Sequence, residues 1–258
     1  MPARRDASEA LFDSEAEWYD AAHDARRIEG HALRARGESI RALLGPGPGE
    51  VLDAGMGPGR LLSELAQTGW TVSGIDLSAR MVERARARLP AASERLTQAP
   101  IEALPFAAAS FDAAVVSGVL EFVDDRGAAM AELSRVLRPS GRLVGSIPNR
   151  GALDILAKRA YYPAVRLVKR FVEAGRAAPG LRSSISLSTL EQLLAAQGLT
   201  LGEVRYTSFA VVPTPLDRLV PVIALRAAEL LEARAGGLGR VLGAQIVFSA
   251  EKQSGRRA

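Results

Sequence analysis

The stretch Val51-Leu52-Asp53-Ala54-Gly55-Met56-Gly57-Pro58-Gly59-Arg60 constrains the chain more than any other. A short apolar run leads into three alternating glycines, and Leu61, Leu62 and Leu65 follow at helical spacing. The segment therefore reads as a buried strand, a tight turn and a helix. Glycines at 55, 57 and 59 admit torsions closed to other residues and let the backbone approach a ligand with no Cβ in the way. The helix N-terminus then points free N–H groups at that ligand. Together these features describe a nucleotide or nucleoside site in an α/β sheet.

Two details choose among such ligands. A dinucleotide fingerprint places its third glycine three residues after the second, and here that place holds Arg60. A pyrophosphate is therefore disfavoured. Instead an acid, Asp53, stands two residues before the first glycine, where its carboxylate would hold a positively charged amino group. The pattern Asp-x-Gly-x-Gly-x-Gly resembles motif I of the class I S-adenosylmethionine-dependent methyltransferases, in particular the UbiE/UbiG-like kind (methyltransferase type 11). Their cofactor carries both an ammonium and a sulfonium.

The next hundred residues resemble the same family in order. A helix over 59–67 ends at Thr68-Gly69, and Trp70 to Asp76 reads as the second strand. Asp76 at its end is placed to accept both ribose hydroxyls, because Ser78 is the better N-cap for the helix over 78–89. Asp76-Leu77-Ser78 resembles the family's second motif. A strand is expected over Glu94 to Ala99, and Pro100 to Phe106 then resembles Gly-Asp-x-Glu-x-Leu-Pro-Phe, with Pro100 where an Asp usually receives the adenine amino group. Adenine would lean on backbone near Ile101 and on Leu77; one lost hydrogen bond, about 1 kcal/mol net, weakens binding without abolishing it. Ser110 to Ser117 is the central strand, and Gly118 to Asp125 matches the family's following segment, with Phe122 replacing a histidine that many relatives carry after Glu121. A helix over 126–137 leads into a fifth strand ending Ser146-Ile147-Pro148-Asn149, an ending common in members that methylate small organic acceptors. For the cofactor the resemblance implies Tyr19, Asp53, Gly55, Gly57, Gly59, Asp76, Leu77, Met81, Ile101, Glu102, Ser117 and Leu120.

Residues 9–44 read as a helical cap, in which Phe12, Trp18 and Tyr19 either close over the cofactor or form a core-facing stripe. The run Gly45 to Gly49 ends it. Past residue 150 the pattern leaves the minimal core. The segments 150–182 and 213–239 are insertions, the second helical from Leu216 to Arg234, and both are expected to cover an acceptor site. A dimer interface or contact with an anionic membrane surface are the alternatives, neither favoured. Between them a helix over Ser186 to Gln197, with Ser188-x-x-Glu191 resembling a capping box, precedes a strand over Leu199 to Phe209. A last strand covers Gly243 to Ala250. The expected fold is one α/β domain over 1–258, with its cofactor-binding core over 50–150. Its sheet is Rossmann-like and seven-stranded, mostly parallel with an antiparallel last strand, with helices on both faces plus helical insertions.

Composition narrows the chemistry. The chain has no cysteine and two histidines, which argues against a thiol nucleophile and against any metal site. A net charge of +4 with aromatics at 5% gives no clustered basic and aromatic face for nucleic acid. Apolar runs such as Leu219 to Leu225 are too short to span a bilayer, and the charged N-terminus lacks a signal-peptide core, so a cytoplasmic protein is expected. The resemblance implies transfer of a methyl group from S-adenosyl-L-methionine to a small, bulky and largely apolar acceptor, with oxygen favoured and a secondary metabolite or a quinone-like or lipid-like molecule in view. His23, His31 and Tyr161 are the general-base candidates, each with a structural role as its alternative. A nucleotide-dependent oxidoreductase and a non-catalytic cofactor-binding relative are the competing readings.

Overall fold

The computed structural model describes residues 2–149, 152, 185–209, 221–234 and 239–254. Helices α1 (Pro2–Asp24) and α2 (Ile28–Leu44) precede an alternating core of β1 (Gly49–Ala54), α3 (Arg60–Gln67), β2 (Trp70–Asp76), α4 (Ala79–Arg88), β3 (Leu96–Gln98), β4 (Phe111–Ser117), α5 (Arg126–Val136) and β5 (Leu137–Pro148). The described chain resumes with α6 (Leu187–Ala196), β6 (Leu199–Phe209) and α7 (Pro221–Arg234), and after a single helical turn ends in β7 (Gly243–Lys252). The strand order is β3-β2-β1-β4-β5-β7-β6. Every pairing is parallel except those of β7, which runs antiparallel between β5 and β6.

Strand alternation divides the core into two layers, because successive side chains point to opposite faces. Val51, Val72, Ala113 and Val115 pack under Ile40, Leu43 and Leu44 of α2, Leu62 and Leu65 of α3, and Val82 and Ala85 of α4. Leu52, Ala54, Ala114 and Val116 face the other way, against Met130, Leu133 and Val136 of α5 and Leu190 and Leu194 of α6. Burial on both faces explains why β4 reads as a nearly continuous apolar run. Chain direction across the sheet reverses between β1 and β4, and the cleft beyond the C-terminal ends of strands at such a point is where ligands bind.

Three boundaries differ from expectation for physical reasons. The N-terminal helical region is two helices, not one: Arg34 Nη1 donates to the carbonyls of His23 (2.5 Å) and Ala25 (3.2 Å), capping α1 from α2. Gly30 makes the crossing close enough that a Cβ there would lie 2.3 Å from the Ala25 oxygen. The third strand starts at Leu96 because Pro90 opens a 3-10 turn through Arg95. The N-cap of α6 is Ser186, whose hydroxyl accepts from the Thr189 N–H at 3.1 Å, rather than Ser188. The first insertion lies outside the described residues except at Ala152, as do 213–220 and 235–238 of the second; the second enters as α7, on which Glu232 accepts from the Thr207 hydroxyl and from the N–H groups of Ser208 (3.3 Å) and Phe209 (3.4 Å).

Candidate functional site

A cavity of about 200 Å³ opens over the C-terminal ends of β1, β2 and β4 and beneath α1. Its floor is the glycine turn. At Gly55, with φ +97°, a Cβ would lie 2.1 Å from Val119 Cγ2, so only a glycine passes under the loop after β4. The N–H groups of Gly55 and Met56 both donate to the Ile75 carbonyl, at 2.8 and 3.0 Å, tying the turn to β2. Gly57 faces the opposite situation: a Cβ there would meet nothing within 4 Å, so its bare backbone borders open cavity.

Two carboxylates stand at this floor. Asp76 accepts from the Gly57 N–H at 2.8 Å and the Ser78 N–H at 2.9 Å, while the Ser78 hydroxyl caps α4 through the Met81 N–H at 3.1 Å. Burial pushes Asp76 up to about 6 against the pull of those hydrogen bonds. Asp53 is 2% exposed, and its Oδ1 has no hydrogen-bond partner among the described residues. Burial first, and the Asp76 carboxylate second, raise it to about 7, with Arg36 pulling the other way. Arg36 lines the same cavity from α2, close enough to Gly118 that a Cβ there would lie 3.0 Å from its Nη1. Among the described residues its guanidinium makes no hydrogen bond or ion pair. A partnerless buried carboxylate oxygen and a guanidinium in one cavity complement the ammonium and carboxylate of an amino acid.

The roof is α1, which contributes Ser8, Phe12, Tyr19 and His23. Phe12 packs edge-on against Phe122, with ring centroids 4.9 Å apart. Leu77, Met81, Pro100, Ile101 and Glu102 form the wall beyond Asp76, and Ser117 borders the β4 side. The cavity thus gathers Tyr19, Asp53, Gly55, Gly57, Asp76, Leu77, Met81, Ile101, Glu102 and Ser117 from the sequence expectation. Gly59 instead starts α3 at φ +76°, and a Cβ there would lie 3.0 Å from that of Ala85, so it serves the contact of α3 with α4. Leu120 is fully buried in the core rather than on the cavity. Of the base candidates, His23 lines the cavity, and burial first, then Arg60, lowers its pKa. His31 lies off it, with Nε2 at 3.7 Å from Glu232, and Tyr161 lies outside the described residues. Arg36 escaped the sequence reading, yet it falls in the stripe Leu33, Arg36, Gly37 and Ile40 at i, i+3, i+4, i+7, all cavity-lining. A charge inside an apolar stripe was the available signal. No group of three metal-ligating side chains occurs among the described residues.

The methyltransferase domain family matches residues 52–145, which run from β1 into β5. A malonyl-[acyl-carrier protein] O-methyltransferase of Erwinia pyrifoliae is 31% identical over 217 residues, 83% of this chain and 77% of that protein. The chain belongs to the S-adenosylmethionine-dependent methyltransferases. A ubiquinone/menaquinone biosynthesis C-methyltransferase of Syntrophotalea carbinolica is 38% identical over 138 residues, 52% of this chain and 58% of that protein. The chain spans about half the length of several curated relatives it matches. Among solved structures, the magnesium protoporphyrin IX methyltransferase of Synechocystis PCC 6803, with bound S-adenosylhomocysteine, shares the fold at a TM-score of 0.64 and 15% identity, over 97% of this chain and 100% of that one. The family match includes Asp53 and Asp76 but stops short of α1 and α2. Arg36, Tyr19 and His23 therefore rest on this chain's own geometry.

Proposed function

We propose that the chain transfers a methyl group from S-adenosylmethionine to a small, bulky and largely apolar organic acceptor, at oxygen. The observation that carries this reading is the buried, partnerless Asp53 oxygen sharing a cavity with Arg36 beside a glycine turn open at Gly57. Asp53 would take the cofactor's ammonium and Arg36 its carboxylate, while Asp76, held by the Gly57 and Ser78 N–H groups, would take the ribose hydroxyls. When bound, the cofactor supplies an activated methyl on its sulfonium. The chain's own contribution is alignment and exclusion of water, through Phe12, Tyr19 and Phe122 above and Leu77 and Ile101 at the side. Pro100 offers no side-chain acceptor to adenine, which leaves backbone near Ile101. His23 lines the cavity, where burial and then Arg60 lower its pKa and favour the neutral imidazole, so it would be the base if a hydroxyl proton is removed. The O-methyltransferase name of the Erwinia relative supports oxygen as the acceptor atom. The test is incubation of purified protein with methyl-labelled cofactor and a small-molecule extract, followed by mass spectrometry. Label on an oxygen of an apolar product is expected; label on carbon would refute the choice of atom, and no labelled product would refute transfer.

A further inference from the structure

Helix α1 carries two stripes. Ser8, Phe12, Ala16, Tyr19 and His23 fall within one arc of the helix and face inward: Ser8 and Ala16 are buried, and Phe12, Tyr19 and His23 line the cavity. Glu9, Asp13, Glu17, Asp20 and Asp24 repeat the same spacing one residue later, so they form an acidic stripe about 100° around the helix. Helix α4 presents the matching pattern, Arg80, Arg84 and Arg88 at intervals of four. The two stripes meet. Asp20 binds Arg84 Nη1 at 2.9 Å, Arg88 Nη2 at 2.8 Å and Arg60 Nε at 3.0 Å. Asp24 takes the other end of Arg60 at 2.5 Å, and Glu17 lies 3.7 Å from Arg84. Farther along, Asp13 accepts from the Ser78 hydroxyl and, at 3.3 Å, from the Arg80 N–H. Arg88 also donates to the Pro58 carbonyl, inside the glycine turn.

We propose that this acidic stripe is a salt-screened latch on the arginine stripe of α4, with Asp20 the positioning residue that seats Phe12, Tyr19 and His23 over the cofactor. The inference rests on the cavity being the cofactor site. An isolated surface pair contributes about 0–1 kcal/mol, and alone would hold no helix. Asp20 differs because its side chain is 18% exposed and receives three guanidinium groups from two helices. Removing its charge leaves three arginines facing one another across a partly buried seam. Ligand in the cavity lies beneath α1, so release requires the latch to open, and the latch weakens as ions screen it. Raising salt from about 0.1 M to about 1 M shortens the screening length from about 10 Å to about 3 Å.

The test measures dissociation of S-adenosylhomocysteine by rapid mixing at both salt concentrations, in the wild type and in Asp20→Asn and Asp20→Glu. In the wild type, release should become about tenfold faster in high salt. Asp20→Asn should release about tenfold faster already in low salt and respond little to added salt, and Asp20→Glu should restore most of the salt response. Hydrogen exchange on the free protein gives a second measurement: Asp20→Asn should expose amides of α1 while those of β1 and β4 stay protected. A release rate and salt profile unchanged in Asp20→Asn would overturn the latch, as would equal loss of protection in α1, β1 and β4. A wild-type protein that never binds S-adenosylhomocysteine would overturn the cofactor reading instead, and exchange in the free protein would then still decide the latch.

Discussion

At the scale of single residues, the pH behaviour of Asp53 is the sharpest consequence. Its raised pKa means that the native free protein holds a proton that the unfolded chain gives up near 3.8. Such a group makes its largest contribution to the stability of the free protein below that ordinary value, and the contribution fades as pH rises through about 7. An ammonium ligand reverses the preference, because it favours the carboxylate. Cofactor affinity should therefore rise with pH between about 5 and 7, with proton release near pH 6 that calorimetry in two buffers of different ionisation enthalpy would read. Asp53→Asn should shrink that dependence to the share of Asp76, which burial raises to about 6; an unchanged profile would remove Asp53 from the ammonium site. Arg36→Ala should weaken S-adenosylhomocysteine about tenfold to hundredfold, since charge-assisted hydrogen bonds contribute about 1.5–3 kcal/mol. Gly57→Val separates fold from site. It asks a branched residue to adopt φ +53°, at a cost of about 1–2 kcal/mol, yet its Cβ has open space around it, so binding should vanish while the protein still melts cooperatively. Asp53, Asp76, Gly55 and Gly57 could be placed at the cavity from sequence because strand ends and turn spacing locate them, whereas Gly59 falls at the contact of α3 with α4. Arg36 could not, since an arginine on a helix is ordinarily solvated, and the Glu232 that neighbours His31 is distant in sequence.

Secondary-structure elements were legible wherever burial on two faces wrote an apolar run, as in β1, β2 and β4, and wherever a small polar cap opened a helix, as at Ser78 and Asp125. They were misread where a tertiary contact decides the boundary: the break before α2 depends on Arg34 and Gly30, both beyond the break itself. Tertiary contact also makes Gly145 in β5 more than a neutral position. A Cβ there would lie 2.5 Å from Phe248 Cζ and 2.9 Å from Val116 Cγ1. Gly145→Ala should cost about 1–3 kcal/mol through overpacking and lower the melting temperature by several degrees, with cofactor affinity of the folded protein unchanged. A melt equal to wild type would show that Phe248 moves aside freely.

For the whole molecule, binding and stability are linked. S-adenosylhomocysteine at about a hundred times its Kd should stabilise the protein by about 2.7 kcal/mol, a rise of roughly 5–10 °C for a domain of this size. No shift at any concentration would mean that the cavity does not hold this nucleoside. The sheet order carries one more consequence. The last of the described strands, β7, is not at an edge but lies between β5 and β6. During synthesis on the ribosome, β5 therefore keeps an open edge until residues 243–252 emerge, and β6 lacks its one partner among the described strands, while the glycine turn and both carboxylates have long been made. A message truncated before those codons yields a chain with every residue that lines the cavity, the last of them Asp124, and unpaired strand edges, the kind of surface that chaperones and proteases act on. Placing β7 inside the sheet makes translation through residue 252 a condition for a durable enzyme.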